Sequence, residues 1–295
     1  MDWLNEFPQI DARSLRAASR TIDLQYREFS RAYGDAIEAF FRPLLDTLLF
    51  LENLLLQTPW PIVLAVVVGL VWFASRSKAV TTLALVALTL IGVLGMWEDT
   101  MRTLAIIVVC TILAVLLGLP IGILMSRSNR LQTVLTPVLD IMQTMPSFVY
   151  LIPIVMLLGI GIIPGVIVVV VYAMPPVIRL TNLGLRLVDR DVLEAADAFG
   201  SSRWRKLVEV ELPLALPNIM AGINQTIMMA LAMVVVASLI GVRGLGQPVL
   251  QAITNQYFTQ GVLNGMAIVA IAIVFDRTSQ AFGRRLQAHR EATHG

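Results

Sequence analysis

The sequence predicts an all-α membrane protein with about seven transmembrane helices, and three observations lead to that prediction. Of its 295 residues, 57% are hydrophobic and only 14% are charged, whereas a soluble domain carries about 25% charged residues. Long uncharged runs separate the charges, and the basic residues favour alternate loops. Too few polar groups remain to cover a soluble globule, so a soluble enzyme is excluded. The net charge of +2 provides no concentrated basic face for nucleic acid.

Six uncharged runs approach or exceed the roughly 20 apolar residues that cross a bilayer. They cover residues 53–75, 79–97, 103–126, 141–178, 212–242 and 244–275. The run 141–178 is too long for one helix, and the Gly- and Pro-containing segment 159–165 indicates a tight turn inside it. We therefore predict seven spans, near residues 55–74, 79–97, 103–125, 141–160, 163–179, 218–240 and 260–277.

The basic residues predict the orientation of these spans. The N-terminal tail, which carries six Arg residues, is counted apart. When the remaining loops are numbered alternately, one set, with the C-terminal tail, holds fourteen Lys and Arg residues, and the other holds only Arg102 and Arg243. Basic loops stay in the cytoplasm, so the richer set faces that side. With seven spans in a bacterial inner membrane, the N-terminus is then periplasmic and the C-terminus cytoplasmic.

The segments outside the core have distinct compositions. Residues 1–52 form a polar, amphipathic N-terminal tail, 53–97 two accessory transmembrane helices, 98–280 the core, and 281–295 a C-terminal cytoplasmic tail. Within the N-terminal tail, one helical face is apolar and comprises Ile37, Phe40, Phe41, Leu44, Leu45 and Leu48. We expect this helix to lie along the membrane interface, to pack on the first span, or to extend it.

The residues that most catalysis requires are scarce. There is one cysteine, and the two histidines lie in the last seven residues, so we expect no catalytic residue and no metal site. No Gly-Lys-Ser/Thr string exists to bind a nucleotide phosphate. No acid or base lies near the centre of a span, which argues against proton or ion coupling. Energy for transport, if supplied by ATP, must therefore be supplied by another chain.

The polar loop between the fifth and sixth spans, residues 179–213, carries strong local signals. Asp189 or Asp191 can cap a first helix, which Gly200 ends, and Ser201 or Ser202 can cap a second helix, which Pro213 ends. The two helices carry short apolar faces formed by Val192, Ala195, Ala196 and Phe199, and by Trp204, Leu207 and Val208. Helices this short are marginal alone in water. A cytoplasmic partner or the chain's own bundle must hold them.

The loop also carries a motif. Glu194-Ala195-Ala196, Gly200, Val210 and Leu212-Pro213 together resemble the EAA loop of ABC importer permeases, with Val210 where that family usually has Ile. The resemblance implies a type I importer fold, and it implies that Glu194, Ala195, Ala196, Gly200, Leu212 and Pro213 contact an ATP-binding subunit. It also implies that this partner binds ATP and Mg, and that the chain itself holds no cofactor.

Four further strings narrow the resemblance. They read WEDTMRTLA at 97–105, MQTMPSFVYLIP at 142–153, PPVIRLT at 175–181 and GVRGLG at 241–246. Together they resemble the permease subunit of glycine betaine/proline betaine and choline importers. That family implies two permease copies, two ATPase subunits and a substrate receptor. Because the chain stops about 18 residues after the last span, we expect the receptor to be a separate periplasmic protein.

Neutral polar and aromatic residues within the spans are candidates for lining a substrate pathway. They are Gln143, Ser147, Phe148, Tyr150, Tyr172 and Asn224. Aromatic faces suit a quaternary ammonium group, although hydrogen bonding between helices explains any single polar residue equally. Gly118 and Gly122 indicate either a kink or a dimer contact. An importer for an amino acid such as methionine is the alternative function, and an autonomous channel is a remote one.

Overall fold

A computed structural model describes the backbone of residues 10–294 and the side chains of residues 10–286. The first nine residues of the predicted N-terminal tail and Gly295 of the C-terminal tail lie outside it. The described chain consists of thirteen α-helices with short 3₁₀ and π segments. The helices are α1 (Ala12–Gln57), α2 (Trp60–Ser75), α3 (Lys78–Val93), α4 (Trp97–Arg127), α5 (Asn129–Thr144), α6 (Leu151–Leu158), α7 (Ile162–Ala173), α8 (Pro175–Arg186), α9 (Arg190–Ala198), α10 (Arg203–Arg205), α11 (Leu212–Ala237), α12 (Gly246–Asn255) and α13 (Phe258–His294).

Four helical stretches of the described chain are long and apolar enough to cross a membrane. They are Trp97–Arg127, Ile162–Arg186, Arg203–Ile240 and Phe258–Leu286, and the count rises to six if each of two bent pairs is one span. The shorter apolar helix α3 has 16 residues. All seven predicted apolar segments are therefore helical, but the predicted number of full spans holds only if the two bent pairs and α3 all cross.

The predicted fourth span, 141–160, is not one straight helix. Helix α5 ends at Thr144, and the segment Ser147–Leu158 leaves at 113° to it. The break is at Met145, whose ψ of 130° is the extended conformation that a following proline, Pro146, imposes. The segment is thus a broken span or a re-entrant loop.

The N-terminal helix α1 neither extends the first span nor packs on it. It ends at Gln57, and α2 leaves at 117°, so α1 packs instead on α4, α6 and α7. The hydroxyl of Ser30 donates to the carbonyl of Leu157 at 2.8 Å, and the hydroxyl of Tyr26 donates to the carbonyl of Pro153. The predicted apolar face is confirmed at Leu48, which is fully buried, but Phe40 is 77% exposed.

Two helices continue beyond their predicted ends and shorten the predicted loop 179–213. Helix α8 runs through the double proline at its start and ends at Arg186. Helix α10 continues through a π-helical segment, Lys206–Glu211, directly into α11, so Pro213 does not end a helix as predicted. Pro213 lies just after the π segment, at the second residue of α11, and the helix continues through it although proline has no amide hydrogen to donate. The connecting loop is therefore residues 187–202.

Helix α8 packs between α4 and α11 at glycine contacts. A Cβ atom added to Gly122 of α4 would lie 2.8 Å from the backbone oxygen of Ile178, and one added to Gly222 of α11 would lie 3.1 Å from the Cα of Val177. Gly118 and Gly184 make similarly close contacts. The Gly118/Gly122 pair thus mediates packing within the chain. The sequence alone was compatible with either a kink or a dimer contact at this pair.

The GVRGLG string forms a buried connection between α11 and α12. Gly241 and Gly244 have φ of 90° and 139°, values that favour glycine. Between and beyond them, Val242 and Leu245 are almost fully buried. The amide of Leu245 donates to the hydroxyl of Thr103 at 2.9 Å, which attaches this connection to the start of α4. Helix α12 was not among the predicted elements, because its ten residues lie inside an uncharged run.

Gly122→Ala should destabilise the bundle, because the methyl group meets backbone atoms of α8 that cannot rotate away. Overpacking of this kind costs about 1–3 kcal/mol. Gly69→Ala in α2 is the control, since nothing lies within 4 Å of its Cβ position and alanine favours a helix. Thermal unfolding in detergent should give a lower midpoint for Gly122→Ala and an equal or higher one for Gly69→Ala. Equal midpoints would contradict the close packing of α4 on α8.

Candidate coupling and translocation site

The predicted first helix of the polar loop is present as α9. The side chain of Asp189 accepts a hydrogen bond from the amide of Asp191 at 3.0 Å, so Asp189 is the cap and Asp191 is not. At the other end, Gly200 has φ of 74°, and the amide of Ser201 donates to the carbonyl of Ala196 at 3.1 Å. This left-handed glycine closure confirms the predicted role of Gly200.

No residue of α9 is buried, so the helix does not pack into its own bundle. Apolar side chains around it are open instead: Phe199 is 90% exposed and Trp204 is 73% exposed. Val192 and Val208 are each about two-fifths exposed. We call Val192, Phe199, Trp204 and Val208 the loop face. Glu194, also on α9, is exposed and makes no ion pair or hydrogen bond with a described side chain.

The loop is attached to the bundle through the π segment. The ammonium group of Lys206 contacts both carboxylate oxygens of Asp197, at 2.6 and 2.7 Å, and so ties α9 to that segment. Ser202 caps α10 by accepting from the amide of Arg205, which confirms one of the two predicted caps. Leu207 is buried against Leu185 and Ala215, so one side chain of the predicted second apolar face packs inward.

A bidentate ion pair joins the end of the π segment to α4. The two terminal nitrogens of the Arg127 guanidinium donate to the carboxylate of Glu211, one of them at 3.1 Å. The Glu211 side chain is only 4% exposed, and a buried carboxylate needs such a partner. Sequence reasoning did not find this pair, because 84 residues separate its members and each occurs at a helix end where a charge is expected.

Two more arginines join helices at the same end of the bundle. The Arg186 guanidinium donates to the side-chain oxygen of Asn129 at 2.8 Å and to the carbonyl of Met125 at 3.1 Å. Arg179 of α8 pairs with Asp140 of α5. Helices α4, α5, α8 and α11 are therefore connected by side chains where the polar loop begins and ends.

The predicted pathway residues separate into two groups. Tyr150 and Tyr172 stack edge to face with ring centroids 5.4 Å apart, and the Tyr150 hydroxyl donates to the carbonyl of Met142. Near the bend between α5 and α6, Gln143 and Phe148 are exposed and Ser147 is half-buried. These five side chains belong to the bent segment and to α7, which faces it.

Asn224 makes different contacts. Its amide donates to the carboxylate of Asp276 at 2.9 Å, and its oxygen accepts from Ser279. Gln280 donates to the same Asp276 oxygen at 2.7 Å. This network joins α11 to α13, so hydrogen bonding between helices accounts for Asn224. In the sequence, the position of Asp276 at the end of an uncharged run is the one signal of this network.

Comparison with known proteins identifies the family. Residues 114–288 match the family model described as binding-protein-dependent transport system inner membrane component. The chain belongs to this family of transport permeases. The permease is 45% identical to the glycine betaine/carnitine transport permease of Listeria monocytogenes over 79% of its own length and 83% of that protein. It is 39% identical to the glycine betaine transport system permease of Bacillus subtilis, over 88% of its length and 89% of that protein.

A solved structure supports the fold. An inward-facing structure of the MetNI methionine ABC transporter aligns with 63% of this permease and 92% of that chain, with a TM-score of 0.54 and 22% identity. At that identity the likeness concerns the fold alone. The permease thus has the type I ABC importer fold that the EAA-like motif implied.

Breaking the Arg127–Glu211 pair in the permease should be costly. Arg127→Gln leaves a buried carboxylate without its cationic partner, and hydrogen bonds to charged groups contribute about 1.5–3 kcal/mol. The exchanged pair Arg127→Glu with Glu211→Arg should recover part of that loss. Arg205→Gln removes a pair whose members are both more than 60% exposed and should cost under about 1 kcal/mol. Unfolding midpoints in detergent measure all three, and equal losses for Arg127→Gln and Arg205→Gln would contradict this account.

Proposed function

We propose that the protein is the membrane-spanning subunit of an ATP-driven importer that moves a quaternary ammonium osmolyte, such as glycine betaine, proline betaine or choline. Two copies would form the pathway, two ATPase subunits would bind ATP and Mg, and a separate periplasmic protein would deliver the substrate. The relatives from Listeria monocytogenes and Bacillus subtilis, which are glycine betaine transport permeases, support this substrate class. The chain itself supplies the conduit and performs no chemical step.

The single observation that carries the energy-coupling part is the exposure of the loop face. Large apolar side chains such as Phe199 and Trp204 rarely remain open to water on a charged loop unless a partner covers them. Aromatic residues at the centre of an interface contribute most of the binding energy. An ATPase subunit seated over this face would therefore contact Glu194 and α9 directly.

Movement of α9 would reach the membrane helices by two connections. The Asp197–Lys206 pair links α9 to the π segment, and the Glu211–Arg127 pair links that segment to α4. Because α8 packs tightly between α4 and α11, displacement of the loop would move these three helices together. Opening and closing of the pathway would then follow the ATPase cycle.

The end of the bundle that carries the loop face would lie in the cytoplasm. The fourteen basic residues of the richer loop set support this orientation, and it places the C-terminus on the same side. The N-terminus would then be periplasmic.

The substrate class fits the uncharged interior. A betaine carries both charges itself, so a conduit lined by neutral and aromatic groups would neither trap it nor exclude it. Phe148 is 58% exposed, and Tyr150 with Tyr172 offers a second aromatic surface. Methionine, the alternative cargo, is the substrate of the MetNI transporter. Because that likeness concerns the fold alone, it does not favour methionine over a betaine.

Replacing two aromatic residues of the loop face should detach the ATPase. Phe199→Ser with Trp204→Ser should weaken binding of the purified ATPase subunit by about 30-fold or more, since such residues contribute at least about 2 kcal/mol at an interface. Phe40→Ser, at an exposed position of α1, is the control and should bind normally. Unchanged ATPase affinity of the double variant would exclude this face as the docking surface.

Glu194→Lys should abolish ATP-dependent uptake of labelled glycine betaine in proteoliposomes that contain the receptor and the ATPase. The variant should still insert and assemble, because Glu194 is exposed and makes no hydrogen bond or ion pair with a described side chain. Glu28→Lys on α1 makes the same charge change at another exposed position and should transport normally. Normal uptake by Glu194→Lys would refute the coupling role.

The substrate proposal is tested separately on the receptor. Calorimetric titration of the cognate binding protein should show affinity for glycine betaine or another trimethylammonium compound. Binding of methionine alone would replace the betaine assignment with the alternative cargo. Uptake by the purified permease without ATP would instead indicate a channel.

A further inference from the structure

An apolar cavity of about 450 Å³ lies between α2, α3, α4, α13 and the end of α1. Its volume is within the range of ligand-binding pockets, about 300–1,000 Å³. Two of its lining residues, Leu70 and Phe73, are each 62% exposed, so the cavity opens to the outer surface of the bundle. In a membrane that surface faces hydrocarbon. An acyl chain would therefore have direct access to the cavity. Its atoms would make van der Waals contacts with lining side chains that have no partner in an empty cavity.

One polar side chain of the cavity lacks a partner. The hydroxyl oxygen of Thr278 lines the cavity on α13, is buried, and has no hydrogen-bond partner among the described residues. A buried hydroxyl without a partner costs free energy. An ester oxygen of a lipid would accept a hydrogen bond from this hydroxyl.

Two cations lie against the Phe73 ring that lines the cavity. The guanidinium carbon of Arg76 is 5.7 Å from the ring centroid, and that of Arg285 is 5.8 Å away. Arg285 also donates to the carbonyl of Phe73 at 2.6 Å. No ion pair among the described side chains includes either arginine. Two like charges beside one ring repel each other, and an anion between them would offset that repulsion.

The backbone also places one of these charges. Arg76 has φ of 49° and ψ of 24°, the left-handed conformation in which helices end with glycine by preference. It is one of only two non-glycine residues with positive φ in the described chain. An L-residue there costs roughly 1–2 kcal/mol. Glycine at position 76 would avoid this cost, but it would place no cation beside the Phe73 ring.

We propose that this cavity binds one anionic phospholipid, with an acyl chain between α2, α3 and α13 and the phosphate between Arg76 and Arg285. The polarity of the site matches that of the lipid, because the lining is apolar along its length and the cations are confined to one end. Basic pockets between helices at the cytoplasmic side are known to hold anionic headgroups. The accessory helices α2 and α3 would thereby be fixed to the core through a lipid. The proposal does not depend on the substrate that is transported.

Native mass spectrometry of the delipidated, purified full chain tests the proposal. Titration with phosphatidylglycerol and with phosphatidylcholine should show one tightly bound phosphatidylglycerol. Arg76→Gln with Arg285→Gln should weaken phosphatidylglycerol binding by roughly 25-fold, because each cation contributes about a fivefold factor, and leave phosphatidylcholine binding unchanged. Ala87→Trp, which fills the cavity, should weaken binding of both lipids.

The control for charge is Arg130→Gln with Arg284→Gln, which removes two exposed cations that make no contact with Phe73. This variant should bind phosphatidylglycerol as the wild type does. Equal losses in the two double variants would reduce the effect to general attraction and overturn the site. Displacement of the lipid by millimolar glycerol phosphate would indicate an anion site without an acyl chain and would also overturn it. Dissociation of a dimer by Ala87→Trp would show that a second copy covers the cavity instead.

Discussion

The close approach of three helix backbones is the constraint on which the rest of the permease depends. Glycines on α4, α8 and α11 remove the side chains that would hold these helices apart, and in a bilayer such packing replaces the hydrophobic force that joins helices in water. Helix α8 has little freedom to slide or rotate independently as a result. Because α8 leads into the polar loop and α11 leads out of it, the loop is attached at both ends to one rigid unit.

Charged side chains fix the same unit at the end that bears the loop. The Glu211 carboxylate is buried and would be unfavourable there without Arg127. Arg186 and Arg179 connect the same helices to α5. A bundle held by contact between small residues alone could shear along its axis, and these directional contacts oppose that motion. In the loop itself, the Asp197–Lys206 pair is the contact of this kind that holds α9, and the apolar side chains of the loop face are exposed.

The sequence predicts the helical segments and the loop well, and its failures have physical causes. Hydropathy locates each apolar helix because only helices satisfy backbone hydrogen bonds in lipid. The caps of the loop follow from Asp189, Ser202 and Gly200, whose effects are local. Hydropathy does not predict the bend at Met145, because the hydropathy of an apolar run is the same whether its helix is straight or broken. Pro213 ends no helix because the π segment before it runs directly into α11, and the residue types alone do not reveal that segment.

Contacts between distant residues were beyond sequence reasoning. The Glu211 carboxylate and Asp276 resemble ordinary charges at helix ends until their partners on other helices are known. For Asn224, the sequence left open a pathway position and hydrogen bonding between helices, and in the structure its amide donates to the carboxylate of Asp276.

The π segment determines the direction in which the side chains before it, including Trp204, point relative to α11. An α-helix turns by 100° per residue, and a π turn holds an additional residue for the same advance. The stretch Arg203–Ile240 therefore contains a phase shift, so its N-terminal part presents a different side from the one that uninterrupted α-helical periodicity would give. Trp204 can point outward while Leu207 packs inward and α11 keeps its own buried face. Deleting one residue from the π segment would therefore point Trp204 in another direction, although Trp204 and the rest of the loop face would keep their residue types.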